Sequence, residues 1–162
     1  MGHNVYENQK ASGIGLGIFI ALIDQLSKHG IVLLIEPGQI LPVYPWLNFE
    51  LFYNTGAAFS FLAQTDGGWS LSVLTGFNLI FSLVVIWQLA TGRVQPGLAR
   101  TALSLMLGGA LGNLYDRFFY GKVTDFIDFH VGDWHFATFN LADSALCIGA
   151  ALWLLANWRK PT

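Results

Sequence analysis

The stretch TDFIDFHVGDWHFATFNLADS, residues 124 to 144, holds four carboxylates, two histidines and Asn140 directly before an apolar run. Acids at that density beside a hydrophobic segment are functional candidates by default, because polar groups next to lipid are expensive to keep. Two further groups share this character. GGALGNLYDR sets Asn113 and Arg117 four apart on one helical face with Asp116 beside them, and FNLADS sets Asn140 and Asp143 three apart. Asp24 and Lys28 are also spaced as helical neighbours.

Each group also has a purely structural reading. Asp24 with Lys28 reads more readily as an ion pair that holds the fold than as a catalytic pair. Asn140 suits a helix N-cap, and Asp143 in the first turn would gain from the helix dipole. Capping accounts well for one of these two residues, but not for both together with an acid-rich loop before them. If VTDFIDFH is a strand, Asp125 and Asp128 project from opposite faces and only one can point at Asp143; if it is helical, both can. Spacing alone leaves that choice open.

Other candidate groups are weaker. Cys147 sits in apolar ALCIGAALW, where a thiol stays protonated and inert. Ser144 lacks the glycines of a nucleophile elbow. His130 and His135, five apart with Asp133 in a loop, are poorly spaced for a helical metal pair and suit a solvated interfacial role. No phosphate-binding loop is present.

The elements that must position these residues are apolar. Of 162 residues, 54% are hydrophobic and 11% charged, with a mean hydropathy of +0.51, which a lipid solvent explains better than water. A net charge of −2 argues against a nucleic-acid partner, and a single cysteine excludes an internal disulfide. Residues Trp69 to Ala90 carry no charge and are long enough to span a bilayer. Ala11 to Ile35 reads as a second, retained span, interrupted by Asp24 and Lys28; Leu98 to Phe119 and Phe139 to Trp158 complete four. The expectation is a mainly α membrane protein of one domain, residues 1–162. Its helices fall at about 11–35, 69–90, 98–119 and 139–158.

Lys10, Arg93, Arg100, Arg159 and Lys160 lie at the termini or in the loop between the second and third spans, which places that side in the cytoplasm. Of the ten acids only Glu7 accompanies them. Segments 36–68 and 120–138 then face outward. NFELFYN, with Phe49, Leu51 and Tyr53 alternating with polar residues, and VTDFIDFH predict a small antiparallel sheet on the outer surface. Polar groups in membrane helices normally face the bundle interior, so the groups around Asp24, Asn113 and Asn140 should meet at one depth.

Taken in order, DQLSK from Asp24, NTGAAFSF from Asn54, GGALGNLYDR around Asn113, VTDFIDF around Asp125 and FNLADS around Asn140 resemble the lipoprotein signal peptidases, or signal peptidase II, along almost the whole chain. The resemblance implies an aspartic protease of the bacterial inner membrane that cuts prolipoproteins just before a diacylglyceryl-modified cysteine. It also implies four helices carrying a periplasmic sheet cradle, inhibition by the cyclic peptide globomycin, and no metal or organic cofactor. By that resemblance the catalytic pair is Asp125 and Asp143, and Asp24, Lys28, Asn54, Asn113, Arg117 and Asn140 surround it. The preference for Asp125 over Asp128 comes from the resemblance alone. Thr124 stands where many relatives carry an aliphatic residue. Asp116 and Asp128 are expected to tune the pair without touching the reacting atoms. GAAFSFL, beginning at Gly56, suits a flap over the substrate. The rival expectations are a proton-coupled transporter, whose acids should be spread through the bilayer depth, and a non-catalytic partner protein.

Overall fold

The computed structural model describes residues 2–56 and 68–158. Among them the chain forms α1 (Gly2–Leu34), β1 (Ile40–Tyr44), β2 (Leu47–Asn54), α2 (Gly68–Ala90), α3 (Leu98–Tyr120), β3 (Val123–Val131), β4 (Trp134–His135) and α4 (Leu141–Asn157). The strands form one antiparallel sheet in the order β1-β2-β3-β4. The mainly helical architecture with a small antiparallel sheet is the one expected from the sequence. The flap segment after Gly56 lies outside the described residues.

Two helices contain stretches long and apolar enough to cross a bilayer, Gly13–Leu34 and Leu71–Ala90. The other two are less apolar or shorter. α3 carries Asn113, Asp116 and Arg117 near its end, and α4 has only 17 residues. Phe19, Leu26, Leu33, Phe77, Ile80, Leu154 and Leu155 are all exposed, a surface that water would not tolerate but hydrocarbon would. The interior shows the converse, with Asp24, Lys28, Asn113, Asp116, Asp125, Asp128 and Asn140 all buried.

α3 is the hub, and small residues let its neighbours approach. A Cβ added at Gly112 would stand 2.5 Å from Asp24 Oδ2, and one at Gly108 would stand 2.6 Å from Ile20 Cβ. Gly109 faces the Ala142 carbonyl of α4. The GGALG run therefore brings α1 and α4 against α3 at backbone distance, as small residues do in membrane bundles.

Two apolar clusters flank the buried polar layer. One joins Val85, Leu89, Val94, Leu103 and Leu107 at the end of the bundle away from the sheet. The other joins Ile31 and Ile35 to Leu51 and Phe126, fastening α1 to the sheet.

The alternation expected in β2 is interrupted. Leu51 is buried, but Phe52 is exposed and Asn48 is buried. A bulge between Phe49 and Phe52 inserts one extra residue against β3 and changes which side chains face inward. The same bulge lets Asn48 pair with Asp128 while Phe52 pairs with Asp125.

Candidate active site

Five elements deliver the polar layer. Asp125 stands on β3, a strand paired on both sides, and is 1% exposed. Asp143 sits in the first turn of α4, with Asn140 as the N-cap. Asn54 ends β2, Asn113, Asp116 and Arg117 come from α3, and Asp24 and Lys28 come from α1.

Both Asn140 and Asp143 are cap residues. Asn140 Oδ1 accepts from Asp143 N at 2.9 Å, and Asp143 Oδ2 accepts from Asn140 N at 3.3 Å, a reciprocal capping box. Capping thus accounts for more of this pair than the sequence suggested. It still occupies one side-chain oxygen of each residue, and leaves the Asn140 amide nitrogen and Asp143 Oδ1 free for other partners.

Those atoms build the site. Asn140 Nδ2 donates to Asp125 Oδ1 at 2.6 Å, and Asn113 Nδ2 donates to Asp143 Oδ1 at 2.8 Å. Asn54 Nδ2 donates to Asp125 Oδ2 at 3.1 Å. In each asparagine a dedicated donor holds the carbonyl end: Gly56 N for Asn54 at 2.8 Å, Lys28 Nζ for Asn113 at 3.0 Å, and Asp143 N for Asn140. A backbone N–H and an ammonium can only donate, so each amide must turn its NH2 group toward a carboxylate. Gly56 adopts φ 90°, a left-handed conformation that suits glycine at this turn.

The remaining charges anchor the elements that carry the two acids. Lys28 Nζ has three acceptors for its three hydrogens: Asp24 Oδ2 at 2.8 Å, Asp116 Oδ2 at 3.1 Å and Asn113. Asp24 Oδ1 accepts from Ala142 N at 2.8 Å, beside Asp143. Asp116 Oδ2 accepts from Thr124 N at 3.0 Å, beside Asp125. This geometry agrees with the structural reading of the Asp24–Lys28 pair. Arg117 Nη1 reaches the Asn113 carbonyl at 3.4 Å.

Burial pushes the Asp125 carboxyl up to about 6, and the charge of Asp143 adds to the rise. The amides of Asn54 and Asn140 work in the opposite direction. Asn140 joins the two acids, since its Nδ2 donates to Asp125 Oδ1 while its Oδ1 and backbone N–H bond Asp143.

The structure settles the strand question: Asp125 faces the Asn140 side and Asp128 does not. Asp128 instead accepts from Asn48 Nδ2 at 2.9 Å and contacts His135 Nδ1 at 2.8 Å. Ser144 Oγ donates to the Asn140 carbonyl at 3.0 Å, a backbone role. Cys147 is exposed on α4. Among the described residues no group of three His, Cys, Asp or Glu side chains is placed to hold a metal ion.

Sequence reasoning passed over Gln25 and Asn48. Gln25 Nε2 donates to Asp116 Oδ1 at 2.8 Å and to the Gly112 carbonyl at 3.0 Å, tying α1 to α3. Its signal was available, because it is a further polar residue inside a membrane helix. Asn48 gave none, since its burial depends on the bulge.

Two cavities open nearby. The larger, about 730 Å³ between α1, α2 and α3, is walled mainly by apolar groups and touches neither Asp125 nor Asp143. The smaller, about 390 Å³, is lined by Phe136, Phe139, Asp143, Ser144, Cys147 and Ile148 and so opens directly on the site.

Residues 16–159 match the family model for signal peptidase (SPase) II. A lipoprotein signal peptidase of Coxiella burnetii is 45% identical over 148 residues, covering 91% of this chain and 90% of its own length. One from Polynucleobacter necessarius is 46% identical over 147 residues, with 91% and 89% covered. A bacterial membrane enzyme solved by the in meso method at 1.9 Å resolution superposes with a TM-score of 0.81 at 28% identity, covering 93% of this chain and 95% of that one. With the family model spanning nearly the whole chain and relatives this similar over about nine-tenths of their length, the protein belongs to the signal peptidase II family.

Proposed function

We propose that the protein is an aspartic endopeptidase that removes the signal peptide from diacylglyceryl-modified prolipoproteins, cutting before the lipidated cysteine, with Asp125 and Asp143 as its catalytic dyad. Family membership supports the prolipoprotein activity and does not favour a transporter. The observation that carries the residue assignment is the set of three asparagine amides turned onto these two carboxylates, one of them with its acidity shifted to about 6.

Two adjacent carboxyls cannot both ionise cheaply, so the reactive form of the pair holds a single proton. The ionised member takes a proton from water as the water attacks the scissile carbonyl. The protonated member donates to the carbonyl oxygen, and the dyad then protonates the departing amine. Asn54, Asn113, Asn140 and Arg117 hold the dyad and the developing oxyanion in place, while Asp24, Lys28 and Asp116 anchor the helix and strand beneath them.

We read α1 to α4 as four spans of the bacterial inner membrane, with cytoplasmic termini and the site at the periplasmic face. The support is the Lys and Arg distribution and the exposed apolar helix faces. Membrane lipids would then contact those faces, and globomycin-type cyclic peptides would compete at the dyad. Arg117 and the smaller cavity are the groups best placed to meet substrate.

The test is cleavage of a diacylglyceryl-modified prolipoprotein by purified protein in detergent, read as a gel shift. Wild type should cut with or without chelator, and folded Asp125→Asn and Asp143→Asn should each be inactive. Full activity in either variant would sink the dyad, and failure of wild type on a substrate that another signal peptidase II cuts would sink the activity.

A further inference from the structure

Asp128 is a buried carboxylate that the dyad does not use. It is 1% exposed and lies three residues beyond Asp125 on β3, so a straight strand turns it to the opposite face. A buried charge needs donors, and Asp128 has them in Asn48 and in His135, whose Nδ1 lies 2.8 and 2.9 Å from its two oxygens. An ionised carboxylate only accepts, so His135 Nδ1 carries the hydrogen. Burial pushes the Asp128 carboxyl up, but its bonds to Asn48 and His135 outweigh that and hold it below the usual carboxylate range. The His130 ring stacks on His135 at 4.9 Å.

His135 stands where the chain turns back toward the site. β4 is two residues long and makes two residue pairs with β3, too short a ladder to hold its own position firmly. From His135 the chain runs through Phe136, whose N–H donates to the Phe129 carbonyl at 2.8 Å, to Phe139, which bridges Ile127 and leads into Asn140. Phe136 and Phe139 meet edge to face at 6.0 Å. These two rings line the cavity that Asp143 also lines.

We propose that Asp128 and His135 form a positioning pair: by fastening the β3–β4 hairpin they set Phe136 and Phe139 as the wall of the cavity beside Asp143, which receives a hydrocarbon part of the substrate. The inference rests on the dyad reading above. The cavity wall is apolar apart from Asp143 and Ser144, which suits hydrocarbon supplied either by the signal-peptide side chain next to the scissile bond or by an acyl chain.

Steady-state cleavage of the modified prolipoprotein tests this. His135→Ala should raise KM roughly fivefold to tenfold with kcat within about twofold, the cost of one hydrogen bond to a half-exposed imidazole felt in binding. His135→Asn should restore KM, because its amide NH2 can stand where Nδ1 stood. Phe136 is 53% exposed, so Phe136→Ala should fold and raise KM alike, and the double variant should be no worse than Phe136→Ala alone. If the penalty shrinks on a substrate with shortened acyl chains, the cavity takes an acyl chain; if it shrinks with glycine before the scissile bond, it takes the side chain. An unchanged KM in His135→Ala, additive effects in the double variant, or a penalty indifferent to both substrate changes overturns the proposal. Asp125→Asn run alongside must be inactive; if it is not, the dyad reading has failed instead.

Discussion

Asn54, Asn113 and Asn140 do at residue scale what a single charged group could not. Each presents a donor to a carboxylate without adding net charge, and each has its opposite end fixed by an obligatory donor. This makes the acidity of Asp125 tunable. Asn54 donates to Asp125 and stabilises its ionised form, so removing that donor favours the protonated form and raises the pKa from about 6. In Asn54→Ala, Asp125 should therefore stay protonated to higher pH. The alkaline limb of the kcat/KM profile should move upward by roughly half to one pH unit, and a downward shift would show that Asn54 does not act on the pair's proton. Asp116 and Asp128, both expected to tune the dyad from a distance, separate at this scale. Asp116 joins the Lys28 network under Asp125, whereas Asp128 belongs to the hairpin.

Among the elements, α3 matters most for precision, because its glycines set how closely α1 and α4 approach. Gly112 has no room for a methyl group beside the Asp24 carboxylate, and that carboxylate caps Ala142 at the head of α4. Gly112→Ala should displace Asp24, loosen the turn that carries Asp143, and cost about 1–3 kcal/mol of stability as overpacking typically does. Thermal unfolding in detergent together with the cleavage rate checks this: activity should fall by more than the folded fraction does. Equal losses would mean that α4 is seated by other contacts. The β3 strand contributes in a different way, carrying a buried acid on each face, Asp125 toward Asn54 and Asn140 and Asp128 toward Asn48 and His135.

As a whole molecule the protein is apolar on the outer faces of its helices and holds a buried polar layer between two apolar clusters. Such an arrangement suits a bilayer, and the proposed orientation can be checked directly. In a Cys147→Ala background, Asp133→Cys should react with a membrane-impermeant maleimide added to spheroplasts, while Arg93→Cys should react only after the membrane is opened. The reverse pattern would invert the topology.

The sequence by itself determined the helical apolar class, the sheet segments between the helices and the set of polar residues that had to meet, because hydrophobic runs, strand alternation and the cost of polar groups in lipid are local properties. It also carried the family's motifs in order. It left Asp125 and Asp128 undecided except through that resemblance, since strand parity says that they point apart but not which one faces α4. The tertiary structure decided this, through the register of β3 against β2 and the bridge to Phe139. It alone revealed the bulge that buries Asn48, the Gln25 link, the double role of Asn140 and Asp143 as cap and site, and the partnership of His135 with Asp128. These depend on contacts between residues far apart in the chain, as with Asn48 and Asp128, which are 80 residues apart, and no local pattern encodes such a pairing.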